Sequence, residues 1–179
     1  NLSHAFGPQS KETRKAVVMV DSLMHELYDK IQQLPIAQDI NFIVVSDHGM
    51  SWIAKAHAIP IAKYLKKDWV IKESGSIPCN IYVRDHCADS VVNALKDVAH
   101  LKVWKKEEIP AYLHYGSNSR VGDVVALPDI GYSVTEGTVK DGGQHGYDPN
   151  LMDMHALFRA IGPDFRHVNA PHFQNVDVY

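Results

Sequence analysis

The stretch NFIVVSDHGM, residues 41–50, runs apolar from Ile43 to Val45 and then ends on Ser46, Asp47 and His48 before Gly49. In an extended strand the side chains of Asp47 and His48 would point to opposite faces. Both can aim at one place only if the strand stops near Ser46 and the backbone turns, and Gly49 tolerates the angles such a turn needs. Taken alone, the pair reads more simply as a turn in which Asp47 caps a following backbone group and His48 is exposed. His145 sits between glycines in Gly143-Gln144-His145-Gly146-Tyr147. That frame leaves room around the ring, as a site would, and a mobile surface loop would have the same composition. His4, followed by Gly7-Pro8, says almost nothing by itself.

Together these residues have the ligand chemistry of zinc, imidazole nitrogen plus carboxylate oxygen. Four such donors are too few to complete two tetrahedral sites, and the set is too polar for a thiolate centre. The chain holds 11 histidines. The others, His25, His57, His86, His100, His114, His155, His167 and His172, read as surface residues or satisfied core residues.

The elements that must position these groups follow from periodicity. From Ser10 to Leu34 the apolar residues Ala16, Val17, Val20, Met24, Leu27, Ile31 and Leu34 recur at steps of three and four, which predicts one amphipathic helix. Ser10 is its N-cap, Glu12 lies in the first turn where the dipole favours negative charge, and Pro35 ends it. Residues 40–46 follow as a buried interior strand. A helix, a short link and a near-continuous apolar strand imply an α/β core with a mainly parallel sheet and helices on both faces. Over 51–116 the texture is more polar and lysine-rich. A strand over Asn80–Arg84, a helix near Ala88–His100 and a strand over Leu101–Lys105 predict a small inserted α/β lobe. Further strands are expected over Val121–Leu127 and near Tyr132–Thr135. The loop Lys140–Asn150 is too rich in Gly, Asp, Asn and Pro to be regular throughout. Leu151–Ala160 reads as a core element, helical or strand-like.

Composition excludes some function classes. Of the 179 residues 45% are hydrophobic and 22% charged, and the formal net charge is −3. This is a folded protein without the basic footprint of a nucleic-acid duplex binder. No apolar run approaches the ~20 residues of a membrane span. Cys79 and Cys87 are too few for a disulfide framework, and Cys79 reads as a buried thiol. The start at Asn1, with neither an initiator Met nor a signal-peptide pattern, suggests part of a longer polypeptide.

The polar clusters occur in a specific order. H-A-F-G-P at 4–8, S-D-H-G-M at 46–50, G-Q-H-G-Y-D at 143–148 and M-H-A-L-F-R-A-I-G-P-D-F at 154–165 resemble the catalytic domain of the nucleotide pyrophosphatase/phosphodiesterase family, in the alkaline phosphatase superfamily. R-V-G-D-V-V-A-L at 120–127 and F-Q-N-V-D-V-Y at 173–179 are similar to it too. The resemblance is weakest over 51–114. It implies an alkaline-phosphatase-like core, with residues 1–179 the C-terminal part of the catalytic domain and 51–116 the inserted lobe. It also implies two zinc ions, Asp47 and His48 binding one and His4 and His145 the other. The remaining ligands and the threonine nucleophile are expected upstream of this chain, so the resemblance assigns no catalytic residue within it.

The implied reaction is hydrolysis of phosphodiester or pyrophosphate bonds, with nucleotides as small-molecule substrates and a phospho-threonine intermediate. Two cations roughly 4 Å apart can stabilise the entering and leaving oxygens of an in-line displacement. The chain by itself is then expected to hydrolyse nothing. A runner-up is choline-phosphodiester, phosphonate or phosphomonoester hydrolysis on the same metal core. From another class, the chain could be a non-catalytic folded module. The resemblance also implies secretion, the periplasm or an outer cell surface.

Overall fold

A computed structural model describes residues 2–137, 139–169 and 171–178. A short helix, α1 (Leu2–Phe6), leads through Gly7 into the long helix α2 (Lys11–Gln32). Ser10 starts α2 as its sequence predicts, because its Oγ accepts from the Thr13 N–H at 3.1 Å and donates to the Gly7 carbonyl at 2.9 Å. That satisfies one of the N–H groups a helix leaves unpaired at its start.

Strand β1 (Phe42–Val45) follows, then β2 (Ser51–Ile53), β3 (Ala58–Ile59), β4 (Val70–Ser74) and β5 (Cys79–Val83). After helix α3 (Ala88–Leu95) come β6 (Leu101–Lys105), β7 (Val124–Pro128), β8 (Ser133–Val134), β9 (Gly142–Gln144) and β10 (Phe158–Ile161). The predicted helix over Ala88–His100 ends at Leu95, because the chain must reverse before β6. His100 makes that reversal with a positive φ of 62°.

The pairing is mixed. β1 pairs antiparallel with β10, β2 antiparallel with β9, and β3 parallel with β8. The largest sheet has the order β4-β5-β7-β6 and is antiparallel throughout. Among the described residues the α/β architecture is therefore built largely of antiparallel pairs, where a mainly parallel sheet was expected. The four-stranded sheet also takes β7 from beyond residue 116, the expected end of the lobe.

The buried core lies around this sheet. Ile81 and Cys79 of β5, Val91 and Leu95 of α3, and Val124 and Ala126 of β7 pack together with Ile59, Ile61, Leu101 and Val134. Every residue of β7 is buried, as its unbroken apolar run requires.

The expectation of a buried interior strand over 40–46 needs correction. β1 alternates half-buried and exposed positions, with Ile43 41% and Val45 47% exposed. α2 has no fully buried residue, and Val17, Val20, Leu23 and Leu27 of its apolar face are exposed. The apolar faces of α2 and β1 are at best half-buried, with Ala16, Met24 and Ile31 the most covered of the α2 stripe. Among the described residues nothing forms a second layer over them beyond contacts such as Tyr28 on Phe42, with ring centroids 5.6 Å apart.

Candidate functional site

The end of β1 is fixed by its partner strand and the segment before it. Ser46 donates its N–H to the Leu157 carbonyl at 3.0 Å, and its Oγ accepts the Leu157 N–H at 2.8 Å. The backbone then turns, and the Gly49 N–H donates to the Met154 carbonyl at 3.0 Å. A Cβ at Gly49 would collide with the backbone carbonyls of Asp153 and His155, so only glycine lets the turn lie this close to its neighbour. The side chain of Asn175 secures the same turn by donating to the Asp47 carbonyl at 3.2 Å.

The turn does what the simpler reading required and more. Asp47 Oδ1 accepts the N–H of His48 at 3.1 Å. Its other oxygen, Oδ2, stands 3.4 Å from His48 Nε2. His48 Nδ1 lies 2.7 Å from the Gly49 carbonyl. A carbonyl can only accept, so Nδ1 carries the proton, and in the neutral ring Nε2 holds the lone pair. Two acceptors thus face each other across 3.4 Å, an arrangement that calls for a proton or a cation between them. Ligand atoms about 2.0–2.1 Å from a tetrahedral zinc are separated by about 3.3 Å.

His145 arrives from β9, whose pairing with β2 brings Gln144 opposite Ser51. Its ring stacks on His48 with centroids 3.6 Å apart and planes 18° from parallel. His4, from α1, has its ring centroid 5.2 Å from that of His145. His4 Nδ1 donates to the Gly143 carbonyl at 2.9 Å, which leaves Nε2 as the free lone pair. His4, Asp47, His48 and His145 are thereby brought to one place from opposite ends of the sequence. Among the described residues no group of three His, Cys, Asp or Glu side chains is arranged to hold one metal ion.

The electrostatics favour neutral imidazole at His145. Burial lowers its pKa from the ordinary histidine value. His48 and His4 lower it further, and the Asp47 carboxylate acts in the opposite direction. Neutral imidazole is the metal-ligating form. With two rings oriented by backbone carbonyls and an adjacent carboxylate 86% exposed at its side chain, the donor chemistry fits zinc.

Sequence reasoning did not assign the orienting roles of the Gly49 and Gly143 carbonyls, although both glycines stand within the recognised frames. Asn175, within F-Q-N-V-D-V-Y, has no role that its sequence context alone reveals. Sequence reasoning also missed a cavity of about 260 Å³ beside His4, lined in part by Ser76, Thr135, Lys140 and Gln144. His155, by contrast, meets the ring of His172 at 5.1 Å.

Residues 1–148 match the family model for type I phosphodiesterase / nucleotide pyrophosphatase. The chain is 33% identical over 193 residues to rat ectonucleotide pyrophosphatase/phosphodiesterase family member 7, covering 100% of this chain and 43% of that protein. It is 29% identical to a bis(5'-adenosyl)-triphosphatase of Pongo abelii, over 98% of this chain and 39% of that one. Its structure is similar to murine ectonucleotide pyrophosphatase/phosphodiesterase 5, solved as an inactive variant in complex with AMP. That likeness has a TM-score of 0.81 at 34% identity, over 92% of this chain and 45% of the other. The chain spans less than half the length of these relatives. The expected alkaline-phosphatase-like α/β fold is shown by this likeness and by that to the human counterpart, at a TM-score of 0.79.

Proposed function

The chain belongs to the type I phosphodiesterase / nucleotide pyrophosphatase family, and from that premise we propose that it forms part of a zinc-dependent hydrolase of phosphodiester or pyrophosphate bonds. One observation carries this reading: the rings of His4, His145 and His48 follow one another at 5.2 and 3.6 Å, and Asp47 Oδ2 stands 3.4 Å from His48 Nε2. His4 and His145 would hold one zinc, and Asp47 and His48 the other. Ions held there would supply positive charge against the phosphoryl oxygens and the departing oxygen.

The chain's own residues prepare that site. The Gly143 and Gly49 carbonyls fix which nitrogen of His4 and of His48 is free to ligate. Asp47 supplies the negative charge that partly offsets a divalent ion. His145 is half-buried and stacked on His48, and the lowering of its pKa favours the neutral ring that ligates a metal. The nucleophile in this reading is a threonine outside these 179 residues; its hydroxyl oxygen would bond to phosphorus as the bond to the departing alcohol or phosphate breaks, and water would then cleave the phospho-threonine to restore the hydroxyl.

Nucleotides are the substrates this reading favours, supported by the AMP bound to the murine relative and by the triphosphatase named among the relatives. The relatives' designation as ectonucleotide enzymes supports a location outside the cytoplasm. No helix among the described residues is long and apolar enough to cross a membrane. The test is the zinc content of the full-length protein, together with hydrolysis of a chromogenic nucleotide diester before and after chelation. Two zinc ions per molecule, and activity lost on chelation and restored by zinc, are expected. Full activity in metal-free protein would overturn the reading.

A further inference from the structure

On the approach side of His145, the strand residues Gly142 and Gly143 are buried but carry no side chains, and their hold is the backbone pairing of β9 with β2. Beyond His145 three consecutive residues tie it down. Gly146, at φ +98°, lets the backbone pass against the Ile77 carbonyl. Tyr147 is 5% exposed and donates its hydroxyl to the Tyr132 carbonyl at 3.0 Å. Asp148 reaches furthest from the loop. Its Oδ2 accepts the Tyr112 hydroxyl at 2.7 Å and lies 3.9 Å from Lys102 Nζ, while Oδ1 accepts the Asn150 N–H at 3.0 Å.

Of these partners, Lys102 belongs to the four-stranded sheet, and Tyr112 and Ile77 to segments that join its strands. Lys102 is on β6, Ile77 lies between β4 and β5, and Tyr112 sits on the single helical turn Ala111–Leu113. On the opposite side of His145, the Gly143 carbonyl holds His4. His145 therefore lies between the His4 contact of α1 on one side and the Tyr147 and Asp148 contacts on the other.

We propose that Tyr112 and Asp148 are positioning residues, which transmit the placement of the four-stranded sheet to the direction of the His145 imidazole. The role is resolvable from plain core packing. The Asp148 side chain is 15% exposed and holds a charge-assisted hydrogen bond, the stronger kind. Tyr112 is 43% exposed, so removing its hydroxyl opens no cavity in the core. Asp148 stands three residues from His145 on the same loop. The catalytic consequence rests on reading His145 as a metal ligand; the mechanical one does not.

The test uses the full-length protein with Tyr112→Phe, Asp148→Asn and the double variant. Amide hydrogen exchange is followed across residues 142–150, β5 and α3, alongside zinc content and steady-state hydrolysis of a chromogenic nucleotide diester. One charge-assisted hydrogen bond corresponds to about tenfold. Tyr112→Phe should speed exchange over 142–150 by about tenfold and lower kcat by about as much, with KM nearly unchanged. Exchange in β5 and α3 should stay as in the wild type, and the double variant should fare no worse than Asp148→Asn. Wild-type exchange in Tyr112→Phe would overturn the proposal. So would faster exchange spread evenly over β5 and α3, or loosened exchange with unchanged kcat. Wild-type protein without zinc or hydrolysis would overturn the metal reading instead, and the exchange measurement would then decide the anchor by itself.

Discussion

Asp47 Oδ2 and His48 Nε2 face each other across 3.4 Å while the other atoms of both groups are already engaged, Oδ1 by the His48 N–H and Nδ1 by the Gly49 carbonyl. The dipeptide is thus both a capped turn and a prepared donor pair. The cap spends one carboxylate oxygen and one ring nitrogen, and the turn presents the remaining two side by side.

Removing His48 should therefore do more than empty a turn. In the full-length protein, His48→Ala should lower hydrolysis of a chromogenic nucleotide diester by more than about a hundredfold, since loss of a mere orienting partner at a metal site already costs about 10–100-fold. His155, whose ring neighbour is His172, gives the control: His155→Ala should keep its activity within about threefold. An active His48→Ala enzyme would return Asp47 and His48 to the role of a turn.

The two thiols should separate by reactivity. Cys79 is 1% exposed, whereas Cys87 is half-buried. Burial, then the nearby carboxylate of Glu73, pushes the Cys79 thiol up to about 12 from about 9, with Glu136 adding to the rise and a Ser74 backbone hydrogen bond opposing it. The thiolate is the reactive form, so a thiol reagent at pH 8 should label Cys87 in the native protein and Cys79 only in denaturant. The same shift fixes a direction with pH. The fold favours the protonated thiol, so this contribution to stability is complete below about pH 9 and is lost as pH rises from about 9 towards 12. Denaturant titrations of the wild type and Cys79→Ala should show a smaller alkaline loss in the variant.

What was legible in the sequence divides along a physical line. Ser10 as a cap, the helix that follows and the strand β6 were readable because their causes are local: one hydroxyl, one periodicity, one β-rich run. The four candidate donors stood out only through the family resemblance of the ordered motifs that hold them, since each frame alone reads equally as a turn or a loop. Burial was not. The stripe on α2 and the run in β1 show which faces are apolar, but whether another layer covers them depends on partners that local sequence does not name. The partner of β1 begins at Phe158, and the buried β7 joins a sheet whose other strands come from what reads as a polar segment. The orienting carbonyls of Gly49 and Gly143 were invisible for a related reason, since a backbone acceptor has no signature in residue type.

Stability should follow the observed core rather than the expected one. Ile81 and Leu95 are fully buried between β5, β7 and α3. Ile81→Ala and Leu95→Ala should each cost about 2–5 kcal/mol, the range for truncating a large core aliphatic. Ile71, on β4 of the same sheet and 63% exposed, should tolerate Ala within about 0.5 kcal/mol. Chemical denaturation of the three variants checks this, and equal losses at Ile71 and Ile81 would contradict the burial described.

Metal counting gives the sharpest test of how the donors are divided. Catalytic zinc takes about three protein ligands plus an open position, and among the described residues no three suitable side chains are arranged for one ion. The proposed division puts His4 with His145, whose ring centroids are 5.2 Å apart, and Asp47 with His48, whose facing atoms are 3.4 Å apart. The stack of His145 on His48 at 3.6 Å brings the pairs together and makes the division a real question. If His4 and His145 serve one ion, His4→Ala and His145→Ala should each lose one zinc of two in the full-length protein, and combining them should lose no more. His4→Ala combined with His48→Ala should lose both. Zinc per protein, measured by elemental analysis after dialysis against a weak chelator, reads all four variants. If the His4/His145 double variant lost both ions, the proposed division would fail, and His145 would have to be read as shared with the ion beside His48.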